Sequence, residues 1–339
     1  MERLFGAIQS LLAEEGCDLS AALMEGRAIM TNNLGSLRTE DIRGYGDADR
    51  GFHLIICDRE GTPMHLVKCR PAAEGSPSPI EGAAYHLFRE DPRSAALIPR
   101  ANSLTRDGFH LQYLEFQAGL RGDRFLANLT VAQLHELSER VMDAADVLAG
   151  VYMGSSESLP QEPPSPRLAL ADVFESAIEA GLLTSSQATR LTRDAEVAEL
   201  SPVPQHRDLW PKNLIVDDSG QIRIIDFDSY GSTTVPLLDA CHWARTCSLQ
   251  YWPEACRSGW VAAILEAPAV RELAATVLRR ASSRREVPER LWMPLVLCYL
   301  VDITGHTIRR GGPKEFWGPL RDELHTSLSL YEEATHILW

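Results

Sequence analysis

Features that the sequence lacks exclude several classes of protein. No uninterrupted run of about 18 or more apolar residues occurs, so no membrane-spanning helix is expected. Residues 1–8 carry an early acid and no long apolar segment, which predicts an amphipathic helix and not a signal peptide. The seven cysteines include no Cys-x-x-Cys motif, and their odd number and irregular spacing predict reduced thiols in a cytoplasmic protein.

Basic residues are scarce relative to acidic ones. The chain of 339 residues has 33 Lys and Arg against 47 Asp and Glu, a formal net charge of −14. An acidic surface repels a phosphate backbone, so nucleic acid is not an expected partner. The same charge is compatible with a cationic small-molecule substrate, and equally with an acidic surface kept for solubility. Charge therefore leaves the substrate open.

The most informative stretch is residues 206–228. Two short β-branched apolar runs, 214–216 and 222–225, flank a turn at 217–220 and predict a β-hairpin. The hairpin would bring Asn213 and Asp226 to the same end, and their oxygen atoms are the ligands that Mg²⁺ prefers. Asp208, outside that pair, is then free to accept a proton. The alternative is an ordinary hairpin with a polar turn and a solvated acid at each end.

The order His206-Arg207-Asp208, Asn213 and Asp226-Phe-Asp228 resembles the protein-kinase-like superfamily. The resemblance implies an α+β, bilobal fold with a small nucleotide-binding lobe and a larger, mainly helical lobe. It assigns Asp208 as the catalytic base, Asn213 and Asp226 as ligands of Mg²⁺, and ATP as the phosphoryl donor. Asp228 is a candidate second metal contact, with a contact to a cationic substrate or a solvated acid as alternatives.

The implied boundaries are residues 1–117 for the nucleotide-binding lobe with extra N-terminal helices, and 118–339 for the helical lobe. The second lobe would carry the catalytic loop (206–213), the metal-binding hairpin (214–228) and the helices of the acceptor site. Within the first lobe, helical apolar spacing covers 2–15 and about 19–30, and a hairpin is predicted over 52–69. The glycine-bearing loop at 44–51 departs from the protein-kinase pattern, and a plain surface loop is the alternative.

Lys68 is the candidate phosphate-binding lysine of this lobe. By the resemblance it contacts the nucleotide and pairs with Glu81 at the start of the next helix, with Glu74 as the weaker alternative partner. Lys68 also fits a lysine that extends from an edge strand into solvent. Glu81 also fits a first-turn glutamate favoured by the helix dipole.

An apolar strand from Phe109 leads toward Gly119 and resembles the hinge between kinase lobes. Backbone groups of Glu115, Phe116 and Gln117 are the expected contacts of adenine. The alternative is an edge strand that ends at a glycine.

The second lobe shows helical spacing over 130–149, 168–181, 185–200, 260–266, 268–281, 289–309 and 314–337. The 87 positions from Gly119 to His206 resemble aminoglycoside phosphotransferases and choline kinases, in which inserted helices help build the acceptor site. Only 13 residues separate Asp226 from Asp239, which leaves no room for the activation segment of a protein kinase. A small-molecule acceptor is therefore favoured over a polypeptide.

Several residues around this loop have supporting or open roles. His206 is expected to support the catalytic loop and Asp239 to hold its backbone, although Asp239 also fits an N-terminal helix cap. Arg207 stands where glycine is commonest in aminoglycoside phosphotransferases, and Leu209-Trp210 resembles fructosamine kinases. The spacing of Cys241, His242, Cys247 and Cys256 fits no zinc-ligand pair, so buried thiols and a packed histidine are expected.

Three functional hypotheses follow. The first is an ATP-dependent kinase of a small hydroxylated molecule such as an amino sugar, a choline-like amine, a sugar or a hydroxy amino acid. The second is a Ser/Thr protein kinase, and the third is a catalytically silent nucleotide-binding protein on the same fold. The intact Asp208, Asn213 and Asp226 disfavour the third. The choice of ATP over GTP and the oligomeric state stay open.

Overall fold

A computed structural model describes residues 2–31, 52–72, 80–115, 119–155, 165–196, 199–309 and 314–333. The described chain contains both an antiparallel sheet and many helices, so the predicted α+β class is confirmed. Contacts divide the chain into two compact units. The first contains the described residues up to Leu120 together with Ile215–Asp228. The second contains the described residues of Arg121–Leu214 and those from Ser229 onward.

The first unit is built on a five-stranded antiparallel sheet with the order β1-β2-β3-β5-β4. Its elements follow one another as α1 (Glu2–Glu14), α2 (Leu19–Met24), β1 (Ala28–Thr31), β2 (Phe52–Cys57), β3 (Pro63–Pro71), α3 (Ile80–Glu90), α4 (Pro92–Ala95), β4 (Ala101–Arg106) and β5 (Phe109–Glu115).

The two faces of this sheet carry different side chains, because successive side chains of a strand point to opposite sides. Apolar residues of α1 and α2 form one core with the face that carries Leu54, Val67 and Leu111. The opposite face carries Lys68, which is in register with His53 on β2 and Gln112 on β5. The N-terminal helices thus cover one face and leave the other for polar side chains.

The first unit is completed by a hairpin from much later in the chain. Strands β6 (Leu120–Arg121), β7 (Leu214–Val216) and β8 (Ile222–Ile224) form a small sheet in that order. The backbone N–H of Ile224 donates to the carbonyl oxygen of Leu97 at 2.8 Å, and the Phe227 ring lies 4.9 Å from that of Tyr85. Gly119 is required beside β7, since a Cβ there would lie 2.6 Å from the Val216 carbonyl oxygen.

The second unit is helical. Its helices are α5 (Gly122–Leu126), α6 (Val131–Gly154), α7 (Pro166–Glu179), α8 (Ser185–Asp194), α9 (Leu238–Tyr251), α10 (Trp260–Glu266), α11 (Pro268–Ser283), α12 (Trp292–Arg309) and α13 (Lys314–Glu333). Helix α9 is central, since it packs against α6, α11 and α12 and buries Trp243 completely. This burial on several sides fixes the position of the polar residues that α9 carries.

One segment of the second unit, Glu289–Ile308, is long and apolar enough to cross a membrane by length and composition. Within the structure, 78% of this window is buried. Helix α12 makes up most of it and packs against α7, α9 and α13. The apolar composition of the segment is therefore accounted for by its place in the core.

Two sequence expectations differ from the structure. The helical spacing expected to continue to residue 30 ends earlier, because Gly26 adopts a φ of +66° and Ala28–Thr31 pairs with β2 as a strand. The hairpin 214–228 was placed with residues 118–339, whereas Ile215–Asp228 groups with the first unit. The bonds of the hairpin to residues 96 and 97 and the packing of Phe227 account for this grouping.

Candidate active site

A compact charge cluster lies in the first unit, on the polar face of the sheet. Lys68 is buried, and its Nζ atom lies 2.7 Å from Oε1 of Glu81 and 2.9 Å from Oδ1 of Asp226. Glu81 is in the first turn of α3 and is almost completely buried. A lysine that extended from an edge strand into solvent would have neither property. The structure therefore brings Lys68, Glu81 and Asp226 together.

Arg70 adds a second cation to this cluster. It lies two residues after Lys68 on β3, so both side chains project from the same face. Its Nη2 atom is 2.7 Å from Oδ2 of Asp228 and 3.7 Å from Oε2 of Glu81. Each of the two cations thus contacts two carboxylates, and the cluster contains three acids and two bases.

The electrostatics of the cluster favour the charged forms of Lys68 and Asp228, whereas burial raises the pKa of Glu81 to about 8. Burial alone would lower the pKa of Lys68, but Glu81, Asp226 and Asp228 outweigh it and raise this pKa to about 12. Burial raises the pKa of Asp228, while hydrogen bonds and the nearby charges of Lys68 and Arg70 lower it further, to a net value well below the usual range. Lys68 and Asp228 are therefore both ionised at neutral pH.

The three carboxylates of the cluster fit a hard cation. Glu81, Asp226 and Asp228 each offer an oxygen atom, and these atoms lie within 4.8 Å of one another. Oxygen donors at such spacing suit Mg²⁺. Asp226 has a φ of +69°, a left-handed conformation that costs a non-glycine residue about 1–3 kcal/mol. Its backbone N–H donates to the Tyr85 hydroxyl at 3.2 Å, which fixes this conformation.

His53 faces the same cluster and was not singled out by its sequence. It is the cross-strand partner of Lys68, and its buried Nδ1 has no hydrogen-bond partner in the described structure. Burial lowers its pKa to about 4, and the charges of Lys68 and Arg70 act in the same direction. His53 is therefore neutral at physiological pH.

The catalytic loop of the second unit is held by its backbone. Asp239, in the first turn of α9, accepts hydrogen bonds from the backbone N–H groups of His206 at 2.6 Å and Arg207 at 2.7 Å. The backbone N–H of Asp239 in turn donates to Oε1 of Gln205 at 2.9 Å. Asp239 thus binds the loop and does not serve as the N-cap of its own helix.

Arg207 is anchored by its side chain as well. Its guanidinium forms a two-pronged pair with buried Asp302 of α12, with Nη2 2.7 Å from Oδ1 and Nε 3.2 Å from Oδ2. The φ of Arg207 is +69°, a conformation that glycine adopts without strain. Glycine would therefore adopt this φ without strain. In Arg207 the same backbone conformation is stabilised by the bond of the side chain to Asp302.

Asp208 follows in the loop and is half-exposed, with 50% of its side-chain surface accessible. The Nδ2 atom of Asn213 donates to both the backbone oxygen and Oδ2 of Asp208, each at 2.9 Å. Nε2 of His242 lies 3.6 Å from Oδ1. Burial acts to raise the pKa of Asp208, but His242, His206 and Asn213 together hold it below its usual value. The carboxylate is ionised and reachable.

The tryptophan of the loop packs beside Lys212. The Lys212 Nζ atom lies 4.6 Å from the centre of the Trp210 ring, in a cation–π contact. The indole Nε1 is buried without a hydrogen-bond partner in the described structure. These contacts favour a packing role for Trp210.

The expected adenine contacts are only partly described. Glu115 ends β5 with an exposed side chain, and its backbone N–H donates to the Arg100 carbonyl oxygen at 2.8 Å. Phe116, Gln117, Glu74 and the loop 44–51 lie outside the described residues.

The structure divides the predicted site residues into two groups. Lys68, Glu81, Asp226 and Asp228 meet in the first unit. His206, Asp208, Asn213 and Asp239 meet in the second. Asn213 belongs to the second unit, and Asp226 belongs to the first.

Sequence reasoning missed Arg70, His53, Asp302 and His242. A signal in the spacing existed for two of them. Arg70 is two residues after Lys68 on a strand, which is the spacing of a shared face. His242 is three residues after Asp239 on a helix, which again is the spacing of a shared face. Its surroundings are the Asp208 carboxylate and the Tyr299 hydroxyl.

Comparison with known proteins now places the chain. The sequence model of a family described as the phosphotransferase enzyme family matches residues 58–282. No protein of curated function matches the sequence significantly.

Solved structures of kinase-like fold are similar over most of their length. Glucosamine kinase (crystal form B) has a TM-score of 0.53 and 16% identity, covering 91% of this chain and 82% of its own. Glucosamine kinase in complex with glucosamine, ADP and inorganic phosphate has a TM-score of 0.52 and 15% identity, and the match covers 91% of this chain and 79% of that chain. The GDP complex of aminoglycoside 2'-phosphotransferase-IIIa has a TM-score of 0.52 and 13% identity, and the match covers 89% of this chain and 93% of that chain. The kinase-like fold implied by the sequence is thereby confirmed.

Proposed function

Because this chain belongs to the phosphotransferase enzyme family, we propose that it transfers the γ-phosphoryl group of ATP to a hydroxyl group of a small molecule. The observation that carries the proposal is the state of Asp208. Its carboxylate is ionised, half-exposed and fixed by Asn213, which are the properties that a proton acceptor needs. The structures of similar fold were solved with ADP or GDP, which supports a nucleotide as the donor.

The roles of the residues follow from the chemistry of phosphoryl transfer, which is carried mainly by positioning and charge stabilisation. Asp208 accepts the proton of the attacking hydroxyl and orients its oxygen. Lys68, held by Glu81, binds the nucleotide phosphates, and the backbone of Glu115, Phe116 and Gln117 binds adenine. Asn213, Asp226 and Asp228 are the proposed ligands of Mg²⁺, which when bound neutralises charge on the phosphates.

The supporting residues hold these groups in place. Asp239 binds the backbone of the loop at His206 and Arg207, which limits the freedom of Asp208 between them and Asn213. In this proposal the first unit binds the nucleotide, and helices of the second unit shape the acceptor site. The domain boundary that we propose is therefore close to residue 120, with the hairpin 215–228 assigned to the nucleotide-binding part.

A small-molecule acceptor is favoured over a polypeptide by the segment that follows Asp228. Residues 233–239 are all buried within the second unit, and they lead directly into α9. A buried segment offers no exposed platform on which an extended peptide could lie. The substrate class is accordingly an amino sugar, a choline-like amine, a sugar or a hydroxy amino acid.

The test is acceptor-dependent release of ADP. Purified protein with ATP or GTP and Mg²⁺ is given a panel of glucosamine, kanamycin, choline, ethanolamine, simple sugars and serine, and the phosphorylated product is identified by mass spectrometry. We expect at least one small hydroxylated acceptor to give ADP and a product one phosphate heavier. Nucleotide binding with no turnover on any acceptor would instead support a silent binding protein, and phosphorylation of a peptide mixture alone would support a protein kinase.

A further inference from the structure

A row of buried polar groups runs from Asp208 into the core of the second unit. His242 lies on α9, and only 8% of its surface is exposed. Its Nδ1 atom is 2.9 Å from the hydroxyl of Tyr299 on α12. Its Nε2 atom is buried, has no hydrogen-bond partner in the described structure, and lies 3.6 Å from Oδ1 of Asp208. A buried polar atom without a partner costs roughly 1–3 kcal/mol, so its retention beside this carboxylate calls for a reason.

The contact with Tyr299 is compatible with either tautomer of the His242 ring. The Tyr299 hydroxyl can donate to Nδ1 or accept from it, because a phenol oxygen carries both functions. When the hydroxyl donates, the neutral ring carries its hydrogen on Nε2, the atom that lies toward Asp208.

The far end of the row is fixed by an ion pair. Nη2 of Arg245 is 2.5 Å from Oε2 of Glu323 on α13, and both side chains are buried. The other carboxylate oxygen of Glu323 accepts from the backbone N–H of Trp260 at 2.7 Å. The pair ties α9, α10 and α13 together beside Tyr299, whose ring lies 6.2 Å from that of Trp260, so the helix that carries His242 is held in place.

From this arrangement we propose that His242 is a positioning residue for Asp208, with an Nε2–H group that donates to Oδ1 once an acceptor hydroxyl is bound. Asn213 holds Oδ2 and His242 faces Oδ1, so the carboxylate is restrained on both oxygens. The distance of 3.6 Å is longer than a hydrogen bond, as is common for catalytic contacts before the substrate is bound. The proposal rests on the proposed role of Asp208 as the base.

The first test reads the ring directly and needs no acceptor. In protein labelled with ¹⁵N-histidine, long-range ¹H–¹⁵N spectra at pH 7.5 report the tautomer of each neutral ring, and the His242 signals are assigned by their loss in His242→Gln. We expect the Nε2–H tautomer, and we expect Asp208→Asn to shift the His242 Nε2 resonance. A neutral Nδ1–H tautomer, or an Nε2 resonance that Asp208→Asn leaves unchanged, would overturn the proposal.

The second test uses turnover with an acceptor from the panel above. His242→Gln should lower kcat about tenfold to hundredfold, because a misplaced base loses its alignment with the hydroxyl, while KM for ATP stays within about twofold. Tyr299→Phe keeps the packing of the ring and removes the hydroxyl that contacts Nδ1, so a smaller fall in kcat is expected. Unchanged kcat in both variants would contradict the proposal.

A matched control separates positioning from folding. Cys247→Ala changes a fully buried residue on the same helix, and its kcat should equal that of the unaltered protein. An equal fall in kcat for Cys247→Ala and His242→Gln would mean that the effect is one of helix packing, which refutes a specific role for His242. If no acceptor is turned over by the unaltered protein, the proposed function fails, and the tautomer measurement still decides the position of the His242 proton.

Discussion

The acids of the first unit and the acid of the catalytic loop are held in opposite ways. Asp226 and Asp228 are bound by the full charges of Lys68 and Arg70 at 2.9 and 2.7 Å. Asp208 is bound by the neutral amide of Asn213, with His242 beyond hydrogen-bond distance. A carboxylate with a fully charged partner is a poor proton acceptor. The neighbours of Asp208 also hold its pKa below the usual value, but half of its side-chain surface is accessible, so a hydroxyl group can reach it.

The largest expected effect comes from removing Asp208, the proposed base. Asp208→Ala should lower kcat by about 10³-fold, within the range that general base catalysis contributes, while binding of the Mg-nucleotide is largely spared. Turnover is measured with the best acceptor of the panel, and nucleotide binding by calorimetry. Asp218→Ala, which removes an exposed acid from the turn of the hairpin, is the control and should keep full activity. Activity retained in Asp208→Ala would remove Asp208 from the mechanism.

The next effect tests the proposed binding of the nucleotide phosphates by Lys68 in the first unit. Lys68→Met should lower kcat/KM for ATP by about 10²-fold, because a buried group that stabilises phosphate charge is lost. It also leaves the buried Glu81 carboxylate without its strongest partner, so the free energy of unfolding should fall by roughly 3 kcal/mol. Denaturant midpoints and nucleotide kinetics measure the two effects. Arg70→Met removes a more exposed cation from the same strand and should be milder in both assays.

The anchor of the catalytic loop should matter mainly for stability. Asp239→Asn replaces one of the two oxygens that accept the backbone N–H groups of His206 and Arg207. A lost charge-assisted bond predicts a fall of about 2 kcal/mol in the free energy of unfolding, measured by urea denaturation. An unchanged midpoint would show that the loop is held without Asp239. Asp302→Asn, which weakens the anchor of Arg207, offers a second measurement of the same loop.

The last effect is a dependence on pH that belongs to the first unit, and it is the smallest for a change of one pH unit. The pKa of His53 is about 4 in the folded protein, against 6.5 for the free side chain. Between these values the unfolded chain binds more protons, so the free energy of unfolding decreases as pH falls, by at most about 1.4 kcal/mol per pH unit. His53→Gln should flatten urea stability curves between pH 6.5 and 4.5. Exposed His86→Gln should leave them unchanged.

The sequence predicted the parts of the site that depend on short spacing. Asp208 and Asn213 are five residues apart in one loop, and both apolar runs of the hairpin are strands. The Lys68–Glu81 pair was implied by the resemblance to the protein-kinase-like superfamily. The short segment between Asp226 and Asp239 was likewise the sequence feature that favoured a small-molecule acceptor over a polypeptide.

The residues that sequence reasoning missed depend on distant partners. Arg207 is paired with Asp302, which is 95 residues away, and His242 with Tyr299, which is 57 residues away. Asp302 is the one charged residue within the apolar run 292–308, which indicates a buried acid but does not identify its partner. Periodicity reports which face of a helix is buried, whereas the partner on the facing helix follows from tertiary packing. The strand Ala28–Thr31 was missed for the same reason, because its pairing with β2 overrode the helical spacing.

The grouping of Ile215–Asp228 with the first unit has a consequence for folding during synthesis. Lys68 and Arg70 each find an acidic partner 158 residues later in the chain. Until the ribosome has made residues 226–228, the nascent first unit lacks both carboxylates and the aromatic ring of Phe227. Contacts at such sequence separation form late because closing the intervening loop costs conformational entropy. The first unit is therefore finished only after much of the second unit has emerged, although most of its own chain is synthesised first.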